Sequence, residues 1–202
     1  MKHVIGRSFN YVSVIGTGRV RVTRPVKIHR EVVADALVGA FRRDGYAGAS
    51  VRDLAAATGL RSASLYHRFP AKSDMAIAAV QRAGEDFAAQ VVVPLTNEDR
   101  PADRLAASAE GLRRFYAGGD LSCLLAVLAL SDAPPAVEAE IAALLQAWRD
   151  ALAATLSRFG MVDPVAEAED RIAAIHGALV VRQGGLGARA FARAAARMAM
   201  PR

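Results

Sequence analysis

The sequence is poor in the residues that build covalent staples, metal centres and membrane spans. It has one cysteine, Cys123, one tryptophan, Trp148, and four histidines scattered at His3, His29, His67 and His176. A single thiol cannot close an internal disulfide. No group of His, Cys, Asp and Glu has metal-ligand spacing, so no metal is expected. His176 has no acid four residues to either side and Ser122 has no histidine partner in sequence, so no nucleophilic triad and no enzyme is expected. Gly16 and Gly18 form a lone G-x-G without the strand-to-helix context of a nucleotide loop, and no cofactor is expected. The longest apolar run, Leu121 to Leu130 with Ser122 inside it, is about half of what a bilayer-spanning helix needs. Arg7, Asn10 and Arg19 interrupt any apolar stretch at the N-terminus, so no signal peptide is read and the expected compartment is the cytoplasm, with no membrane partner.

What is present is a globular composition with an uneven charge. The 202 residues are 53% hydrophobic and 23% charged with a mean hydropathy of +0.19, enough for one large domain or two small ones. Residues 1–72 carry thirteen Lys or Arg against four Asp or Glu, a net +9, while residues 73–202 sum to −3, giving the total of +6. Such a basic third is either a polyanion site or a solvated surface behind an arginine-rich tail. The periodicity along the chain decides what carries the charge.

From Ile28 the apolar positions Val33, Ala36, Leu37, Ala40 and Phe41 recur at steps of three and four, the stripe of an amphipathic helix that Asp44-Gly45-Tyr46 ends. Ser50 with Asp53 caps a second helix of about two turns, broken at Thr58-Gly59-Leu60. A third runs from about Ser62 to Phe69, where Pro70 stops it, and Lys72, Ser73 or Asp74 opens a fourth. Two short helices joined by a tight glycine turn make a helix-turn-helix candidate. The fourth helix is expected to stop at Pro94, a fifth to open at Pro101, Asp120 to cap a short apolar sixth, Pro134-Pro135 to start the longest, and Asp163-Pro164 to start another that Gly184-Gly185 breaks, before a final helix near Ala188 to Met200. The expected fold is all-α with about nine helices and no strand after residue 24.

The stretch from Ile28 to Met75 resembles the TetR family of transcriptional regulators. The matching elements are Phe41, Gly45-Tyr46, Ser50-Val51, Leu54-Ala55, Gly59-Leu60, Ser64-Leu65-Tyr66, Phe69-Pro70 and Lys72. The resemblance implies three N-terminal helices that bind double-stranded operator DNA, a larger part that binds a small hydrophobic effector, and a homodimer. It divides the chain into a basic arm at 1–26, a helix-turn-helix domain at 27–72 and a ligand-binding and dimerisation domain at 73–202. The expected DNA contacts are Arg24, Lys27, Ser50, Arg61, Ser62, Ala63, Ser64, Tyr66, His67 and Lys72. Tyr66, His67 and Lys72 match positions that touch phosphates in the family, and Arg61, Ser62, Ala63 and Ser64 are candidates for reading bases. At the start of the third helix the chain departs from the family pattern, and either Ser62 caps that helix or Arg61 reaches the backbone. Leu65 and Phe69, four apart, are read as core against Leu54 and Phe41.

Residues 1–26 lie outside the resemblance. Val12, Val14, Val20 and Val22 alternate as in a short hairpin, while a disordered basic arm or an over-long start are the other readings. Arg19, Arg21 and Arg24 stand where such arms enter a minor groove.

Gly119 to Leu125 is similar to the Gly-Cys-Leu-Leu opening of the sixth helix in the group of these regulators near LmrA and YxaF. The expected effector-site residues are Phe87, Phe115, Tyr116, Cys123, Leu124, Leu128, Trp148 and His176. Dimerisation is expected through the last two helices, with Ile172, Ile175, Leu179, Val180, Phe191, Ala195 and Met198 as apolar stripes and Ala173, Ala174, Gly177 and Ala178 allowing close approach. The expected function is a ligand-responsive regulator, a repressor, on a palindromic operator. The other reading is a helical small-molecule-binding or scaffold protein without DNA binding.

Overall fold

The computed structural model describes residues 29–186 and 189–200, so the basic arm with Arg24 and Lys27 lies outside the described residues. Among the described residues there are nine helices and no strand. They are α1 (Arg30–Gly48), α2 (Val51–Thr58), α3 (Ser62–Arg68), α4 (72–96), α5 (Pro101–Phe115), α6 (Leu124–Ala129), α7 (Pro135–Ser157), α8 (Pro164–Gln183) and α9 (Arg189–Met198). Among the described residues no helix is long and apolar enough to cross a membrane.

Local signals explain most of the boundaries. Gly45 adopts φ 68°, which ends the regular part of α1, and a side chain there would also press on Ser131 Cβ at 3.0 Å. The Ser50 hydroxyl accepts from the Asp53 amide at 3.2 Å and caps α2. Gly59 is left-handed, and the Leu60 amide returns to the Ala55 carbonyl at 3.1 Å to close the helix. Ser62 is the first residue of α3 rather than its cap. Arg61 holds the extended cap position, and no side chain bonds the free amides there. The Asp74 carboxylate accepts from the Ala71 amide at 2.8 Å and fixes the start of α4 at Lys72.

Two expected boundaries are corrected. Pro94 does not stop α4: the helix widens into a π-helical turn over Ala88–Val92 and runs on to Thr96. Pro94 has no amide to offer the Gln90 carbonyl. That carbonyl lies against Gly111 of α5, where a Cβ would come within 1.8 Å of it, so a glycine at 111 is what lets the two helices meet. Asp120 does not cap α6, which begins after Cys123; its carboxylate pairs with Arg182 of α8 instead.

Two buried clusters carry the fold. The first joins Leu37 and Phe41 of α1, Leu54, Leu65 and Phe69 to Met75, Ala79 and Val80 of α4, and takes in Leu124 and Leu128 of α6 and Val137 of α7. The three-helix head is thus seated on α4, α6 and α7 through one continuous core. The second contains Phe87, Leu105, Leu112, Tyr116, Trp148, Leu152, Ile175, Leu179, Phe191 and Met198. Arg82 of α4 adds an ion pair to Asp35 of α1 at 2.8 Å.

The expected dimer stripes are largely corrected as well. Ile175, Leu179, Phe191, Ala195 and Met198 face inward in the single chain, with Leu179 only 2% exposed, because α9 folds back on α8 and α5. What α8 leaves outside is Ala173, Gly177, Val180 and Val181. The buried Arg171 guanidinium donates to the Met198 and Met200 carbonyls at 3.3 and 2.7 Å and to Glu167 at 2.8 Å, tying the end of α9 to α8.

Candidate DNA interface and regulatory cavity

At the head, α3 is too short to hold itself and depends on Leu65 and Phe69, both at zero exposure, to anchor it. Burying those two positions turns Arg61, Ser62, Ala63, Ser64, Tyr66 and His67 outward, and all six are exposed. Lys72 sits at the first position of α4 beside this face. Its ammonium lies 4.6 Å from the centre of the Tyr46 ring, and burial lowers its pKa from the ordinary lysine value. Tyr46 in turn stacks on Phe41 at 6.3 Å. Arg30 is held over Phe69 at 5.0 Å. Ser50 is exposed, but its hydroxyl also bonds the Asp53 carboxylate, and this bond is the main reason that Asp53 titrates below the ordinary aspartate value.

A second site lies between the head and the rest of the chain. A cavity of about 20 Å³, room for about one water, is lined by Arg42 of α1, Ala83, Gly84 and Phe87 of α4, Phe115, Tyr116, Cys123, Leu124 and Leu125, Leu144, Leu145 and Trp148 of α7, and His176 of α8. Seven of the eight residues expected for an effector site meet here. Leu128 does not; one turn further along α6 it faces the head's core. The walls are aromatic, with Phe87 edge-on to both Phe115 at 5.2 Å and Trp148 at 4.9 Å. A wider polar cleft of about 330 Å³ lies outside and shares Arg42, Ala83 and Phe115 with the cavity. The Arg42 guanidinium lies 5.6 Å from the Phe115 ring centre. Two buried nitrogens at this site, Arg42 Nε and Trp148 Nε1, have no hydrogen-bond partner among the described residues.

Arg42 was absent from the residues expected to hold an effector, since a pair of arginines after Phe41 reads as surface. Ser131 was not legible either. It is the tie between cavity and head: α6 runs from Cys123 at the cavity wall to Ser131, whose hydroxyl accepts from the Tyr46 amide at 2.8 Å and whose carbonyl accepts from the Ala47 amide at 3.2 Å.

A short, outward-facing second helix of a helix-turn-helix, a lysine beside it and an all-helical body with an aromatic cavity are the features of a DNA-binding regulator. Residues 34–79 match the family of bacterial regulatory proteins of the tetR type. The fold of the chain is similar to that of a TetR-family regulator from Agrobacterium tumefaciens, with 26% identity, a TM-score of 0.71, and coverage of 85% of this chain and 97% of that one. A TetR regulator from Legionella pneumophila superposes with a TM-score of 0.75 at 17% identity, covering 87% and 97% of the two chains. One from Chloroflexus aurantiacus gives 0.71 at 24%, covering 84% and 91%. No curated protein matches the sequence.

Proposed function

We propose that this protein is a ligand-responsive repressor that binds a palindromic operator as a homodimer and is released by a small hydrophobic effector. The observation that carries the reading is the placement of the cavity: one wall is Arg42 of α1, and another leads through α6 to the Ser131 hydrogen bonds at the end of α1. On the DNA, Tyr66, His67 and Lys72 hold phosphates with Ser50 alongside, and Arg61, Ser62, Ala63 and Ser64 face base edges in the major groove. Arg24 and Lys27 of the arm add minor-groove or phosphate contacts. The partner copy docks on the small exposed face of α8, Ala173, Gly177 and Val180, with the outer face of α9 beside it. Recognition helices then stand roughly 34 to 36 Å apart.

An effector larger than one water cannot enter without spreading α4, α6 and α7. Phe87, Phe115, Tyr116, Cys123, Leu124, Trp148 and His176 would surround it. Moving α6 pulls on the Tyr46 and Ala47 amides, and Tyr46 carries the Lys72 ammonium on its ring. Pocket filling and phosphate contact are therefore mechanically joined.

Band-shift titrations of duplex DNA from the gene's own promoter region test this. Log affinity should fall linearly with log salt as phosphate contacts release counterions. Absence of binding, or affinity indifferent to salt, would return the chain to the class of helical ligand binders.

A further inference from the structure

The cavity wall holds a thiol and an imidazole that reversible binding of a hydrophobic ligand does not require. Cys123, the residue before α6, is 5% exposed. The Tyr116 hydroxyl donates to its sulfur at 3.5 Å. His176 is held by Nδ1 on the Ile172 carbonyl at 2.9 Å, so that nitrogen carries a proton and Nε2 is the one left for Cys123. Trp148, 1% exposed, adds an indole N–H without a partner in the same wall. Among the described residues the other charged group at the cavity is Arg42 from α1, and none of the lining residues is a carboxylate.

This surrounding acts on the thiol. Burial pushes the Cys123 pKa up, but hydrogen bonding and charge from His176, with help from Tyr116 and the Ala126 backbone, outweigh it and hold the thiol below its ordinary value. Burial lowers His176 and contact with Cys123 raises it further, to a net rise. Both shifts favour the charged forms, and the thiolate is the reactive form of cysteine.

We propose that Cys123 and His176 form a covalent acceptor site for small planar α,β-unsaturated carbonyl compounds, and that the adduct releases the protein from DNA. The Cys123 thiolate attacks the β-carbon of the enone, forming an S–C bond while the C=C pair shifts to an enolate. The His176 imidazolium gives its Nε2 proton to the α-carbon. The products are a thioether and a neutral imidazole, with no electron gained or lost and no leaving group. The Trp148 indole N–H is the unused donor available to the enone oxygen, and the apolar rings of Phe87 and Phe115 suit the hydrocarbon part of a small acceptor. The added atoms exceed the room at the cavity, so the Cys123 end of α6 must shift, and its other end holds Tyr46 through Ser131. This regulatory half rests on the repressor reading above; the reactivity half does not.

The experiment uses methyl vinyl ketone as probe and intact-mass spectrometry as readout, which the single cysteine keeps unambiguous. At neutral pH the native protein should gain one adduct at least tenfold faster than the same chain unfolded in urea, whereas a merely buried thiol reacts more slowly when folded. Cys123→Ser and Cys123→Ala should form no adduct at that rate. His176→Gln should slow the native reaction about tenfold and move the midpoint of its pH–rate profile up to that of an ordinary thiol. A native rate at or below the unfolded rate, or an unchanged pH profile in His176→Gln, would overturn the site. Band shifts with the promoter duplex then separate the halves. Adducted protein should bind at least tenfold more weakly, and equal binding would overturn the regulatory role. If unmodified protein fails to bind any duplex, the repressor reading fails while the mass result still decides the chemistry.

Discussion

The DNA-binding head and the body behind it are built to different standards of closure. In the head, Leu37, Phe41, Leu54, Leu65 and Phe69 are all fully buried, and α2 is closed by Ser50 at its start and Gly59 at its end. The body buries a thiol, an imidazole and a phenol together. It also leaves Trp148 Nε1 at the cavity and Ser108 Oγ of α5 without partners among the described residues. A satisfied core with good caps has one well-defined arrangement, whereas unsatisfied polar atoms beside space leave free energy to be gained by rearrangement. On the repressor reading proposed above, the contrast separates a part that keeps its shape to read DNA from a part that changes shape when an effector binds.

The sharpest way to break the comparison is through the cores. Phe69→Ala removes a fully buried ring that anchors α3 and should cost about 3 to 5 kcal/mol with loss of DNA binding. Phe115→Ala, at a partly buried cavity wall, should cost clearly less, and denaturant unfolding of the two variants checks the order. Equal costs would erase the distinction. Next in size is the dimer face. Leu179→Arg places a charge in the closed interior and should unfold the chain rather than split it. Val180→Arg, at a position 57% exposed, should keep full helicity while sedimentation shows a monomer. Smallest is the tie between the regions: Ser131→Ala removes one hydrogen bond from the Tyr46 amide, worth about 1 kcal/mol. Its effect should appear as weaker release by an effector more than as lower stability.

Those expectations also mark what was legible in the sequence. The head was legible nearly throughout, because its boundaries are set by residues within four positions of each other: Ser50 with Asp53, Gly59 with Ala55, Asp74 with Ala71. The body was legible as helices but less so as contacts. Pro94 reads as a stop, and only Gly111, distant in sequence, makes room for the carbonyl it frees. Amphipathic stripes on α8 and α9 announce a partner without saying whose, and here much of it is the same chain. Seven of the residues expected at an effector site meet at the cavity, but Arg42 reaches the cavity and Ser131 the head only through packing across the two regions, which no local pattern records.

Coupling between regions must be reciprocal: if filling the cavity weakens DNA binding, DNA must hold the cavity shut by the same free energy. The direct measurement is the rate at which iodoacetamide labels Cys123 in the free protein and in the protein saturated with its promoter duplex. Cys123 lies outside the α3 face, so DNA does not shield it simply by covering that surface. A rate several-fold slower on DNA, with the difference shrinking in Ser131→Ala, is the predicted result. Equal rates with and without DNA would contradict the claim that this cavity governs the head.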